Sequence, residues 1–282
     1  MADRIERIKI FENTLEMCDE NERLSQSVSR AIINQKIYWE DDALQFESGK
    51  PFKETELWLT SKRSCEAAKE YLNNPGSNGV CVLNFASFVT PGGGVVRGTT
   101  AQEESMCRIS TLYRCISDET VKAFYESHKE KISNKEVNRR NNDDIIFTPG
   151  VTVFKADTFD CELLADNEWY EIDIITCAAP DLRQSYDDSE YAPTYQELLE
   201  VHKKRWRRIL SVAFLNQERV VILGAFGCGA FYNPPQIVAQ AAEQVCEEFD
   251  GMFEKIVFAV YTKNYESENY TAFSRIKGIK EL

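Results

Sequence analysis

From residue 79 onward, short apolar runs alternate with longer amphipathic stretches, and no feature of the chain constrains its fold more. The runs at 80–85, 144–147, 151–154, 172–178, 220–225 and 256–261 read as strands. They are nearly continuous in apolar residues, as strands are in a sheet covered on both faces. Helices are expected between them at 101–115, 119–131, 195–216 and 235–249. Strands alternating with helices of that length imply an α/β fold, a three-layer α/β/α sandwich around a mixed, mostly parallel sheet. In such sheets ligands bind at the carboxyl ends of the strands.

Residues 1–75 have a different texture, charged and helical, with Ile5, Ile8, Leu15, Leu24, Val28 and Ile32 at roughly helical spacing. We read them as an N-terminal helical accessory region, and 76–282 as a second unit carrying the site. Ser61 is placed to cap a helix through Cys65, Ala67, Ala68 and Tyr71, which Asn73-Asn74-Pro75-Gly76 would end. The polar segment from His128 to Asp144 reads as a mobile surface connection, with closure over a cleft left open.

Charge narrows the function. With 33 Lys+Arg against 46 Asp+Glu, the formal charge is −13, which argues against a basic face for duplex nucleic acid. An anionic ligand must then be held locally, by backbone N–H groups and a few placed cations. Nine cysteines without a C-x-x-C pair read as reduced, buried thiols in a reducing compartment, the cytoplasm or the nucleus of a eukaryote. Only His128 and His202 are present, which disfavours a Cys/His zinc site or a Ser-His-Asp triad. Met1-Ala2-Asp3-Arg4 does not open a signal peptide, and the apolar stretch at 220–231 is too short to span a bilayer, so no membrane partner is expected.

Two glycine-rich loops follow strands. The first contains Gly92-Gly93-Gly94 and continues to Gln102-Glu103-Glu104 on the first turn of a helix. Three glycines let a backbone approach a ligand closely, while adjacent helical carboxylates project about 100° apart and cannot share one direction. Thr100-x-x-Glu103 also reads as a plain capping box. The second loop, 224–235, contains Gly227, Cys228, Gly229 and Ala230 and opens a helix, with Asn233 as a candidate N-cap and Pro234 in the first turn. Such a loop offers converging N–H donors to a phosphate. No G-x-x-x-x-G-K-[ST] sequence is present, and Gly227-x-Gly229 lacks the third glycine of a dinucleotide fingerprint.

Gly-Gly-Gly, seven residues, then Gln-Glu-Glu resembles the signature of poly(ADP-ribose) glycohydrolases. The match extends through Leu83-Asn84-Phe85-Ala86-Ser87, Ser110-Thr111-Leu112-Tyr113 and the 224–235 loop, and is similar to the microbial-type branch, whose catalytic part is a macrodomain. The resemblance covers roughly residues 79–262 and makes 76–282 a macrodomain-like catalytic domain. It implies Glu104 as the catalytic glutamate and Glu103 as a hydrogen-bonding partner of the ribose hydroxyls. It further implies that Gly92, Gly93 and Gly94 wrap the distal ribose and its phosphate, and that Gly227, Cys228, Gly229 and Ala230 hold the diphosphate. Phe226 or Phe231 would pack on the ribose, Tyr261 or Asn264 would neighbour the adenine, and Asn84 and Gln102 would support the terminal ribose and the glutamates. Val95, Val96 and Thr99 inherit no role.

The implied partners are ADP-ribose, poly(ADP-ribose) and ADP-ribosylated proteins, with no cofactor and no metal. The implied reaction is glycosidic hydrolysis of ribose–ribose O-glycosidic bonds, releasing ADP-ribose, with Glu104 as general acid and base. Two alternatives stand beside it: a macrodomain that reads ADP-ribose without cleaving it, and a hydrolase of mono-ADP-ribosyl adducts. The basic run from His202 to Arg208 reads as a solvated helix face rather than a polyanion contact, and the tryptophans as core or domain contacts.

Overall fold

The computed structural model describes residues 2–46, 49–72, 79–136, 142–183, 193–263 and 267–282. Its chain order is α1 (Arg4–Glu20), α2 (Glu22–Asn34), β1 (Lys36–Tyr38), β2 (Glu56–Thr60), α3 (Ser64–Leu72), β3 (Val80–Phe85), α4 (Gln102–Ile109) and α5 (Leu112–Ile116). There follow α6 (Lys122–Ser133), β4 (Ile145–Val153), β5 (Tyr170–Cys177), α7 (Tyr195–Leu215), β6 (Val220–Leu223), α8 (Pro235–Glu248), β7 (Lys255–Ala259), α9 (Glu268–Phe273) and β8 (Lys280–Glu281). The strands form one sheet in the order β1-β4-β5-β3-β6-β7-β2-β8. All pairings from β5 to β8 are parallel, and β4 runs antiparallel to both β5 and β1. The mixed, mostly parallel sheet expected from the sequence is present.

That order fixes where the site lies. β3 and β6 are neighbours, pairing Val80 with Val220 and Val82 with Ile222, so the two glycine loops leave adjacent strands at the same edge. β5 flanks them on one side and β7 on the other. Both sheet faces are covered. One face packs Leu83, Val221 and Phe258 against Trp206, Ile209 and Val238 of α7 and α8. The other packs Val82, Ile222 and Val257 against Phe11, Ala68 and Met106 of α1, α3 and α4. Full burial of each large apolar side chain contributes about 1.5–3 kcal/mol, which is why these runs are mostly apolar; the buried polar residues Asn84 and Thr176 within them hydrogen-bond each other (3.3 Å).

Several expectations change. Residues 1–75 are not helical throughout: β1 pairs Lys36–Tyr38 with β4, and β2 pairs with β7. Both strands are short and lie towards the sheet's edges, so neither carries a long apolar run. In α1 and α2 the buried stripe is Phe11, Thr14, Cys18, Leu24, Ser27 and Ala31, while Ile5 is exposed. Ser61 does not cap α3, which begins three residues later, and the Asn73–Gly76 stop signal lies outside the described residues. The two runs at 144–147 and 151–154 are one strand, β4, with a bulge between Thr148 and Val151. There Gly150 takes φ +66° and its N–H donates to Asp173 Oδ1 (2.7 Å).

The helix expected at 101–115 breaks at Ser110, whose extended backbone bridges to Val153. Ser110 Oγ donates to the Met106 carbonyl (2.7 Å) and accepts from Leu112 N–H (3.2 Å), compensating the interrupted ladder. The His128–Asp144 segment is anchored at both ends rather than a free connection. His128 lies inside α6 and is fully buried, as are Asn142, Asp143 and Asp144. His128 Nδ1 donates to the Phe88 carbonyl (2.9 Å), its Nε2 is hydrogen-bonded to Asp144 Oδ2 (2.7 Å), and its ring stacks on Phe88 at 3.7 Å. The basic run on α7 is only partly a solvated face. Arg205 is buried and pairs with Asp143, Lys204 reaches the same carboxylate (2.6 Å), and Arg207 forks onto Glu248 (2.6 and 2.7 Å).

Candidate functional site

A cleft of about 990 Å³ opens at the carboxyl edge of the sheet, between the glycine loops and the first turn of α4. Gln102 fixes that turn. Its Oε1 accepts from Phe85 N–H (2.9 Å), and its Nε2 donates to the Leu83 carbonyl (2.8 Å) and to Ser64 Oγ (3.1 Å). The helix is thereby stitched to the end of β3 and the start of α3; Gln102 does not itself touch the glutamates. The N-cap is Ala101, which has no capping side chain, so the Thr100/Glu103 capping box does not form. Glu103 turns inward instead.

Both carboxylates enter the first glycine loop. Glu103, 2% exposed, accepts from Ser87 N–H (2.7 Å), Gly92 N–H (3.2 Å) and Asn84 Nδ2 (3.4 Å). Glu104, 7% exposed, receives the Gly94 N–H and the Thr99 hydroxyl on Oε1, each at 2.9 Å. Gly93 sits between them with φ +57°, and a Cβ there would lie 2.8 Å from Glu104 Oε1 and 3.0 Å from Glu103 Oε2. The conformation and the space both demand glycine. Burial pushes the Glu103 carboxyl up to about 8, against the pull of the Ser87 N–H and with the help of the neighbouring Glu104 charge. Among the described residues, the buried Glu104 Oε2 has no hydrogen-bond partner.

The expected wrapping of a ligand by Gly92, Gly93 and Gly94 therefore meets a different arrangement. The N–H groups of Gly92 and Gly94 serve the glutamates, that of Gly93 goes to the Thr90 carbonyl, and only Gly93 and Gly94 line the cleft. Thr99, for which no role was expected, donates its hydroxyl to Glu104 directly.

The second loop is built differently. Gly227 takes φ +77°, with a Cβ position 2.6 Å from both Ala179 and Asn233. Asn233 is not the N-cap, which is Pro234, and Pro235 starts α8. Its buried amide ties the loop together, donating to the carbonyls of Pro180 (2.7 Å) and Gly227 (3.1 Å) and accepting from His202 Nε2 (2.9 Å). Burial holds the His202 imidazole down near 4, so it stays neutral. Among the described residues, no intramolecular acceptor takes the N–H groups of Gly227, Gly229 and Ala230, all three of which line the cleft. Phe226 and Phe231 both line the cleft; Phe226 is buried between Phe85 and Trp206, each at 5.5 Å, and Phe231 has Arg183 over its ring at 4.9 Å. Cys228 does not line the cleft, and burial pushes its thiol up to about 12.

The cleft's far end is aromatic. The Arg63 guanidinium lies 4.3 Å from the Phe159 ring centre and 4.5 Å from that of Tyr261, and pairs with Asp157 (3.7 Å). Asn264 lies outside the described residues. Sequence reasoning missed Arg7, Arg63, Arg97, Arg183 and Phe159, all of which line the cleft. The only signal for the arginines was the requirement, in an acidic chain, for a few placed cations.

The family model described as "Microbial-type PARG, catalytic domain" matches residues 6–156. The poly(ADP-ribose) glycohydrolase of Thermomonospora curvata is similar in structure, with TM-score 0.81 and 27% identity over 96% of this chain and 99% of that one. The structure of that enzyme bound to the inhibitor ADP-HPD is similar to the same extent, at 28% identity. The poly(ADP-ribose) glycohydrolase of Deinococcus radiodurans in complex with ADP-ribose matches with TM-score 0.74 and 28% identity over 88% of this chain and 96% of that one. No curated protein matches.

Proposed function

The chain belongs to the family of microbial-type poly(ADP-ribose) glycohydrolase catalytic domains, and from that premise we propose how its cleft hydrolyses the ribose–ribose O-glycosidic bonds of poly(ADP-ribose). The relatives from Thermomonospora curvata and Deinococcus radiodurans bind ADP-HPD and ADP-ribose. In this chain one terminal ADP-ribose unit lies along the cleft. Its adenine is received at Tyr261, Phe159 and Arg63, and its diphosphate by the N–H groups of Gly227, Gly229 and Ala230. Its distal ribose sits at Phe231 and Gly93, facing Glu103 and Glu104. Asn84 holds Glu103, and Gln102 holds the helix that carries both carboxylates.

The observation that carries this reading is Glu104 Oε2, a buried carboxyl oxygen without a partner among the described residues, in a side chain that lines the cleft. Glycosidic cleavage passes through an oxocarbenium-like state in which the departing oxygen needs a proton. Glu103, pushed up to about 8, holds a proton at neutral pH next to Glu104. Glu104 gives a proton to the leaving oxygen as the C1–O bond breaks, then takes one from the water that attacks C1. The products are free ADP-ribose and a chain one unit shorter with a free 2′-hydroxyl. A reader without hydrolysis has no use for two carboxylates held this way. Polymer on modified proteins is the natural substrate form, and nine free cysteines suit a reducing interior such as the cytoplasm. Helices α1 and α2 act as an accessory that braces the catalytic part.

The test is incubation with labelled poly(ADP-ribose), wild type beside Glu104→Gln. Wild type is expected to release ADP-ribose, and the variant to lose about 10²–10⁴-fold in kcat, the contribution typical of a general acid. Wild-type turnover by the variant would remove Glu104 from this role.

A further inference from the structure

We propose that Arg7 and Arg97 form a second anion subsite, on the leaving-group side of Glu104, that takes the diphosphate of the next unit of the polymer. The proposal rests on the reading above, and it names what distinguishes a polymer from a single ADP-ribosyl adduct as a substrate of this site. In a polymer the departing oxygen is the 2′-oxygen of another adenosine, whose 5′ carbon carries a diphosphate. When ADP-ribose is attached to a serine, the departing group carries no phosphate.

The cleft of this acidic protein is lined by four arginines. Arg63 is engaged by Asp157, Ser105 and two aromatic faces, and Arg183 by Asp181 and the face of Phe231. Arg7 and Arg97 belong to the part of the wall that holds Glu104. Arg97 precedes Gly98 and Thr99, and the Thr99 hydroxyl donates to Glu104 Oε1 at 2.9 Å. Arg7 comes from α1. Its Nε donates to the Gly98 carbonyl (2.7 Å) and its Nη1 to the Ala2 carbonyl (2.6 Å). Arg4 Nε of the same helix donates to the Arg97 carbonyl (2.8 Å). Gly98 permits this close docking, since a Cβ there would stand 2.5 Å from the Arg4 carbonyl oxygen.

Among the described residues neither Arg7 nor Arg97 pairs with a carboxylate, although the chain carries 46 acidic residues against 33 basic ones. Two cations in the wall of the cleft that holds Glu104, with no carboxylate partner among the described residues, suit a ligand that brings its own negative charge, and a diphosphate accepts from guanidinium donors. The N-terminal helix thus contributes to specificity as well as to bracing.

The experiment compares kcat/KM for poly(ADP-ribose) with kcat/KM for 4-nitrophenyl ADP-ribose, whose leaving group has no phosphate, in wild type, Arg97→Gln, Arg7→Gln and Arg7→Lys. The polymer-to-nitrophenyl ratio should fall about tenfold in each glutamine variant, the loss of one charge-assisted contact. Arg7→Lys should retain most of the ratio, because charge serves a phosphate while a lysine cannot reproduce the fork to Gly98 and Ala2. An unchanged ratio overturns the proposal, whether both activities fall together, as simple bracing of the Gly98 turn requires, or neither does. Salt gives a second readout: polymer kcat/KM should fall less steeply with ionic strength in Arg97→Gln than in wild type, and equal slopes count against the subsite. Wild type that releases no ADP-ribose from polymer would sink the parent reading. Active wild type with an unaltered ratio in the variants would sink the subsite alone.

Discussion

The two glycine loops leave neighbouring parallel strands and look alike in composition, yet they use their backbones in opposite ways. In the first, the N–H groups of Gly92 and Gly94 are taken up by Glu103 and Glu104, so the loop is a socket that aims acidic side chains. In the second, the loop is tied from behind by Asn233 and His202, and among the described residues the N–H groups of Gly227, Gly229 and Ala230 have no intramolecular acceptor. Glycine richness therefore marks close approach without saying what approaches. In one case it is the protein's own carboxylates; in the other, on our reading, a diphosphate.

The sharpest attempt to break this contrast is Gly93→Ala. The residue is in the left-handed region and wedged between both carboxylates, so a methyl group there must displace one of them. Misplacement of a reacting group by about 1 Å can cost on the order of 100-fold, and polymer hydrolysis at saturating substrate should fall by at least that factor. If Gly93→Ala retains full kcat, the first loop is not a carboxylate socket. Thr99→Val removes one of the two donors to Glu104 Oε1 while keeping the shape. We expect kcat to drop about tenfold, the weight of one hydrogen bond to a charged group, with KM for polymer little changed. Gly229→Ala probes the other loop. Its added Cβ meets no protein atom within 4 Å, so thermal stability should hold. A ligand lying against those amides would meet the methyl group, and KM should rise several-fold at constant kcat, as when binding shared by ground and transition states is lost. Unchanged KM for Gly229→Ala would place the diphosphate elsewhere.

The same contrast explains what the sequence could and could not disclose. The alternation after residue 79 and the spacing from Gly92 to Glu104 were legible because each rests on local chemistry: continuous apolar runs, and glycines needed at positive φ. β1 and β2 were not legible, since short strands towards a sheet edge need no long apolar pattern. The break at Ser110 escaped notice because it is imposed by a bridge to Val153, distant in sequence. Asn233 looked like a cap from its neighbours, but its partners Pro180 and His202 come from other parts of the chain. Thr99 and the four cleft arginines share that difficulty. An arginine brought to a cleft from a distant part of the chain leaves no mark in the string of residues.

The smallest expected effects concern pH, and they pull the two loops in opposite directions. Burial lowers His202 behind the second loop from its ordinary 6.5 to about 4, so the unfolded chain binds the extra proton more readily. The stability tied to a neutral His202 is complete above about 6.5 and is lost as pH falls through about 4. Glu103 in the first loop is raised from 4.5 to about 8, so its contribution is complete below 4.5 and is lost as pH rises through about 8. The alkaline loss is shared with Glu218, remote from the cleft just before β6. Burial, the Asp173 charge and a side-chain hydrogen bond to Asp173 push its carboxyl up to about 10. Glu218→Gln keeps the shape and abolishes that ionisation. Its melting temperature should exceed that of wild type by roughly 2–4 °C for each kcal/mol recovered at pH 8, and should match wild type near pH 4.5. The alkaline decline that remains in Glu218→Gln then belongs to the first loop, and a melting profile that is flat from pH 5 to 9 in that variant would mean that Glu103 does not hold its proton into the neutral range.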